Sequence, residues 1–304
     1  MTSPLEESEK VCLPHFQKIW ETSNRFLPIV SIDCEFAFFV FVMQYRAAAS
    51  LLSFVCVSSF GPKPLLVHSR SQLTACQSMS SSTESYADFL SQKVSEALGK
   101  EVKLKESLGA GLSGGGGAFT STATDEEGNK YFIKSATGKI KMLQAEYLGV
   151  SEMAASQTIR VPKPICFGEH RGRAFAVFEF LNFTRGGSEF ELGLQLAKMH
   201  RKTSGEGFGF HCDNTIGATH QPNTPWMNDW ANFWDEHRLG HMLRLTSNVG
   251  LDEKKIADLR TKTRELLSHK PVPSLVHGDL WGGNKGYCLE NGKKVPVIFD
   301  PATY

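Results

Sequence analysis

The chain lacks an excess of charge of either sign: 33 lysines and arginines stand against 32 aspartates and glutamates, a formal net charge of +1. No global field therefore draws it to nucleic acid or to an anionic membrane, and whatever selects its partner acts locally. Cysteine pairs of metal-binding spacing are also missing, because the seven cysteines (Cys12, Cys34, Cys56, Cys76, Cys166, Cys212 and Cys288) are scattered. Reduced, unpaired thiols are the expectation. The apolar run from Ala47 to Val57 falls short of the about 20 residues that a bilayer-spanning helix needs. A longer stretch, Phe26 to Val57, is interrupted by Asp33, Glu35 and Arg46, so no stable membrane anchor is expected after processing. What is present is 41% hydrophobic content over 304 residues, enough for one or two globular domains once targeting sequence is set aside.

Acids are absent again between Met43 and Thr83. That stretch has one Arg, the apolar run, the small pair Ser58-Ser59, and then a Ser-rich segment with Lys63 and Arg70, which together read as a signal peptide followed by a transit-peptide-like segment. The junction of small residues with Phe60 resembles the bipartite plastid presequences of diatoms and related algae. Residues 1–42 carry Glu6, Glu7, Glu9, Asp33 and Glu35 and have no place in such a presequence, so Met43 is the expected start. Residues 1–85 are thus expected to be a targeting region and the location a plastid, with the cytoplasm as the alternative.

Beyond it the pattern changes. Phe89, Leu90, Val94 and Leu98 recur at helical spacing over 86–101, with Gly99 as a stop. Strands are expected on both sides of a glycine run, Gly114, Gly115, Gly116 and Gly117, whose backbone amides could approach phosphates closely because no Cβ intervenes. Lys134 follows 17 residues after that run, in an expected strand Tyr131 to Ser135. Lys141 to Ser156 reads as a helix containing Glu146, placed to ion-pair with Lys134. A buried strand, Arg173 to Phe183, then leads through Glu179, Phe180 and Leu181, whose backbone would face an adenine. The helix Glu189 to Lys202 precedes a polar loop, Asn214 to Thr224, and a helix rich in aromatics. There Phe233 suits a core, whereas Trp226 precedes the helix and is a candidate to line a sugar-binding cleft.

The densest chemistry lies in 275–304, LVHGDLWGGNKGYCLENGKKVPVIFDPATY. Asp279 is followed five positions later by Asn284, the aspartate-to-asparagine spacing of a kinase catalytic loop. Next comes an expected β-hairpin, Lys285 to Leu289 against VPVIF, turning at Asn291-Gly292, a pair that tolerates φ > 0. Asp300 closes its apolar strand. A carboxylate to orient and deprotonate a hydroxyl, with two further oxygen ligands for a metal on phosphates, is what phosphoryl transfer requires.

These strings carry a resemblance. TIRVPKP, NTIGATHQPNT with Arg238-Leu239 after it, LVHGDLWGGN and PVIFDPATY are similar to the fructosamine kinase, or ketosamine-3-kinase, family, over about residue 86 to the end. The resemblance implies an α+β, protein-kinase-like two-lobed fold of aminoglycoside phosphotransferase type. Its small β-rich N-lobe would span 86–181 and its helical C-lobe 182–304. It implies ATP and Mg²⁺ as cofactors, a glycated protein or small-molecule ketosamine as substrate, and phosphorylation of the adduct's 3-hydroxyl, leading to deglycation. Asp279 would be the catalytic base, and Asn284 and Asp300 the metal ligands. Lys134, Glu146, Gly114 to Gly117, Glu179, Phe180 and Leu181 would serve ATP, and His277, Trp281 and Trp226 the acceptor. Another small-molecule kinase of the choline or aminoglycoside type, or an inactive pseudokinase, stays open. Two departures stand out. Gly117 occupies the place of a redox-active cysteine found in many members, so redox control through that loop is not expected. Members also continue beyond the DPA motif, so the C-lobe is expected to be incomplete and activity weak.

Overall fold

The computed structural model describes residues 85–107, 117–246, 250 and 252–304, which lie within one compact unit, Leu66–Tyr304. Residues 1–84, which hold nearly all of the expected targeting region, and Gly114, Gly115 and Gly116 lie outside the described residues. No helix among the described residues is long and apolar enough to cross a membrane.

Helix α1 (Tyr86–Leu98) begins where Ser85 accepts from the Asp88 N–H and ends at Gly99, whose φ of +65° is the left-handed cap the sequence signalled. Five antiparallel strands follow: β1 (Lys105–Ser107), β2 (Phe119–Thr124), β3 (Lys130–Thr137), β4 (Pro164–His170) and β5 (Arg173–Glu179). Their spatial order is β1-β2-β3-β5-β4. Helix α2 (Ile140–Ala155) lies between β3 and β4 in sequence.

Strand alternation divides the core into two layers. Tyr131, Ile133, Phe175 and Val177 face α1 and pack with Leu90 and Val94. Ala136, Ala174, Ala176 and Phe178 face the opposite way and pack with Leu143, Val150 and Met153 of α2. Lys134 shares the parity of Ala136, so the pleat sends it to the α2 side. That single consequence of period-two geometry brings a lysine of the sheet to a glutamate of the helix.

Helix α3 (Glu189–Met199) is capped by Ser188 and stops three residues before the expected Lys202. The stretch expected to be a polar loop instead forms a short hairpin, β6 (Asn214–Ile216) with β7 (Thr219–Gln221). Helix α4 (Trp230–Trp234) runs through a π-helical turn, Asp235–Leu239, into α5 (Gly240–Leu245), and Phe233 is fully buried. Helix α6 (Glu253–Leu266) has no counterpart in the sequence reading. Among its residues only Thr263 is buried, and it docks by charge, Arg260 bonding to Asp235 at 2.8 and 2.9 Å. The last hairpin, β8 (Lys285–Glu290) and β9 (Lys293–Ile298), turns at Asn291 (φ +51°) and Gly292 (φ +75°), the two-residue geometry that suits strand twist. Arg160 ties it to the large sheet, bonding to Glu290 at 2.5 Å and to Glu179 at 2.6 Å, while Ile298 N–H donates to Arg160 O at 3.0 Å.

Candidate active site

Lys134 stands on β3 between Thr120 of β2 and Ala176 of β5. Its Nζ lies 2.7 Å from Glu146 Oε1 and 2.6 Å from Asp300 Oδ1. One cation thus joins a helix carboxylate to a carboxylate 166 positions along the chain. Burial opposes the lysine's charge, but the two acids outweigh it and hold its pKa above the ordinary lysine value. Burial also raises the Glu146 carboxyl, against the pull of Lys134.

Asp279 and Asn284 come from the loop before β8. The Asn284 amide nitrogen donates to Asp279 O at 2.9 Å, Asp279 Oδ2 at 3.2 Å and Asp300 O at 3.2 Å, so one side chain holds both aspartates in register. Burial, and then the charge of Asp300, raises the Asp279 pKa above its ordinary value. A carboxylate so placed is a better proton acceptor than a solvated one. Gly278 makes the arrangement possible: its φ is +79°, and a Cβ there would sit 1.9 Å from Ala302 O.

These groups line a cleft of about 270 Å³ that includes Lys134, Glu146, Asp279, Trp281, Asn284 and Asp300. Ala118, next to Gly117 (φ +77°), also borders it. Sequence reasoning passed over four of its walls, Met142, Asn214, Thr215 and Gly217. The string containing the last three was legible as a signature but carried no chemical role.

Three expected positions lie outside the lining of this cleft. His277 is only 2% exposed and faces protein groups, not the cleft: Nδ1 accepts from the Asp279 N–H at 3.3 Å, leaving Nε2 to donate to Phe299 O at 3.0 Å. Its ring links the Asp279 amide to the Phe299 carbonyl. Trp226 lines a different cavity of about 330 Å³, edge-on to His211. The segment Glu179 to Leu181 does not border the cleft, and its first two amides are spent, Glu179 N–H on Lys163 O at 2.9 Å and Phe180 N–H on Lys130 O at 3.3 Å. Sheet pairing satisfied these groups first.

The donor set fits a hard divalent cation. Because the Asn284 nitrogen is committed to protein acceptors, its amide oxygen is the atom left to join the Asp300 carboxylate. No group of three or more His, Cys, Asp or Glu among the described residues could hold a metal, so such an ion would take its remaining ligands from phosphates and water.

A family model described as fructosamine kinase matches residues 87–304. The chain belongs to the fructosamine kinase family. A Synechocystis protein assigned as a ketoamine kinase is 42% identical over 219 residues, covering 71% of this chain and 72% of that one. The chloroplastic protein-ribulosamine 3-kinase of Arabidopsis thaliana is 39% identical, over 64% of this chain and 61% of its own length. A crystal structure from Haemophilus somnus 129PT, assigned as a fructosamine-3-kinase, superposes with a TM-score of 0.60 at 26% identity, covering 70% of this chain and 71% of that one. The α+β, protein-kinase-like fold is therefore that of this fructosamine kinase family member. Membership makes it a phosphotransferase acting on a sugar hydroxyl, with ATP and a divalent metal implied.

Proposed function

We propose that the chain is an ATP- and Mg²⁺-dependent ketosamine 3-kinase acting on ribulosamine or fructosamine adducts of protein amines, and that it works in a plastid. The observation that carries this reading is the convergence of Lys134, Asp279, Asn284 and Asp300 on one cleft. The chloroplastic relative supports ribulosamine adducts and the plastid.

In this mechanism Asp279 accepts the proton of the adduct's 3-hydroxyl while the hydroxyl oxygen bonds to the γ-phosphorus. The bond to the bridging oxygen breaks, and its electron pair leaves with ADP. Lys134, steadied by Glu146, would hold phosphate oxygens. When bound through Asn284 and Asp300, magnesium would neutralise charge on the phosphates. Trp281, 64% exposed at the cleft mouth, supplies a flat apolar wall for the acceptor. Catalysis is then chiefly positioning and charge stabilisation. Phosphorylation at the 3-position makes the adduct labile and returns the free amine.

The test is Asp279→Asn, assayed on a ribulosamine adduct of a lysine peptide. Turnover is expected to fall by about 10²–10⁴-fold with ATP affinity within about twofold of wild type. Wild-type turnover in that variant would remove the mechanism.

A further inference from the structure

The segment after Asp300 is buried yet belongs to no regular strand, with Ala302 2% and Thr303 1% exposed. Its backbone polar groups still require partners. One edge is met by backbone: Ala302 N–H donates to His277 O at 2.9 Å, and Val276 N–H to Tyr304 O at 3.3 Å. The other edge is met by side-chain amides. Gln221 Nε2 donates to Ala302 O at 3.1 Å and to Asn214 Oδ1 at 2.8 Å, and Asn214 Nδ2 donates to Thr303 O at 2.7 Å. Asn223 Nδ2 reaches Thr303 O at 3.3 Å and Cys212 O at 3.2 Å, and Arg238 fixes that amide by donating to its Oδ1 at 2.7 Å.

All three amides are buried, at most 6% exposed, so losing Gln221 would strip Ala302 O of its side-chain donor, and losing Asn214 or Asn223 would remove one of the two donors to Thr303 O. Asp300 itself has φ +59°, the left-handed region, which costs an aspartate less than most residues but still favours surroundings that hold it there. The hairpin β6–β7 and the loop behind it supply that hold from one side.

We propose that Asn214, Gln221 and Asn223 are positioning residues of the transfer reaction, holding the Ala302 and Thr303 carbonyls so that the Asp300 carboxylate is presented to the nucleotide's divalent cation. The inference rests on the reading of Asp300 as a metal ligand. Partners that orient a ligand from behind are typically worth about 10–100-fold in metal affinity.

The experiment uses the full chain carrying Gln221→Met or Asn223→Asp, the second keeping an oxygen for Arg238. Mn²⁺ is titrated into the AMP-PNP complex by electron paramagnetic resonance, beside AMP-PNP affinity without metal and steady-state kinetics. Mn²⁺ affinity is expected to weaken by about 10–100-fold and kcat to fall, with metal-free AMP-PNP affinity and acceptor KM within about twofold of wild type. Wild-type Mn²⁺ affinity in both variants overturns the inference, as does an equal loss of metal-free nucleotide binding, which marks a merely structural role. Should Gln221→Met fail to fold, Asn223→Asp carries the test alone. Asp300→Asn separates the two claims. Unchanged Mn²⁺ affinity there removes the ligand assignment and this inference together; weakened affinity there, with none in Gln221→Met and Asn223→Asp, removes this inference alone.

Discussion

Asp300 and Asp235 are both aspartates gripped by basic side chains, and the surroundings of the two explain why we assign one to the proposed reaction and the other to the scaffold. Asp300 is 44% exposed at the cleft, where Lys134 engages one of its oxygens. Asp235 is fully buried in the π-helical turn and takes Arg260 on both oxygens, with Arg264 against one of them and Glu236 sharing Arg260 at 2.6 Å. A carboxylate surrounded on every side has no acceptor to offer a ligand. One that keeps an edge toward a cavity can exchange partners. Charge pairing by itself therefore says little about function; the open edge decides.

The same substitution at both positions should separate them, and the largest effect is expected at the cleft. Asp300→Asn keeps a side chain that tolerates φ > 0 but loses the charge opposing phosphate-bound metal, so turnover should drop by about 10³-fold or more. Its melting temperature should stay within about 2 °C of wild type, because Asp300 is partly exposed and Lys134 keeps Glu146 as counter-charge at 2.7 Å. An active Asp300→Asn enzyme would break the contrast.

Asp235→Asn comes next, with the opposite profile. Arg264 loses its partner and Arg260 keeps only Glu236, and a cost of about 2–3 kcal/mol is expected, less than for a fully buried pair because both arginines are partly exposed. Calorimetry should show a fall of roughly 5–10 °C, while kcat below the transition changes by less than about threefold. Burial works to raise the Asp235 pKa, but the bonds from Arg260 and Arg264 outweigh it and hold the carboxyl below its ordinary 3.8. Its contribution to stability is therefore complete above that value and is lost as pH falls through the lower folded pKa. The gap in melting temperature between wild type and Asp235→Asn should shrink on acidification in that range. A gap that grew would show the sign to be wrong.

A smaller effect sharpens the picture of the cleft's floor. A Cβ on Gly149 of α2 would lie 2.6 Å from Thr303 Oγ1 and 3.3 Å from Pro301 Cγ. Alanine in place of glycine inside a helix is ordinarily stabilising by about 1 kcal/mol. Here the clash should reverse the sign, with Gly149→Ala destabilised by about 1–2 kcal/mol and kcat reduced as the segment after Asp300 is displaced. The double variant with Thr303→Ala should recover most of both, and failure to recover would place the strain elsewhere.

Much of this was readable in advance where the signal was local. Gly99 stops α1, Asn291-Gly292 turns the last hairpin, and the strand alternation of β3 fixes the side on which Lys134 emerges. His277 was misplaced because its type suggests chemistry, whereas its ring is occupied by the Asp279 amide and the Phe299 carbonyl. Helix α6 was missed because it lacks an apolar stripe and is held by arginines bonding to Asp235, a partner 25 and 29 positions away. The polar string 214–224 was legible as a signature only. Its amides satisfy carbonyls about 80 residues later, and no spacing rule records such a pairing.

By itself the sequence determined the kinds of groups and their local geometry: an aspartate and an asparagine on one loop, an aspartate ending a strand, a lysine on a pleated strand and a glutamate on the next helix. Tertiary packing alone decided which polar residues keep an unspent atom toward the cleft, as Asp300 does, and which are consumed within the protein, as Glu179, His277 and Asp235 are. The physical reason is that backbone periodicity acts over a few residues, whereas hydrogen-bond satisfaction and burial are settled among groups that only the folded chain brings together.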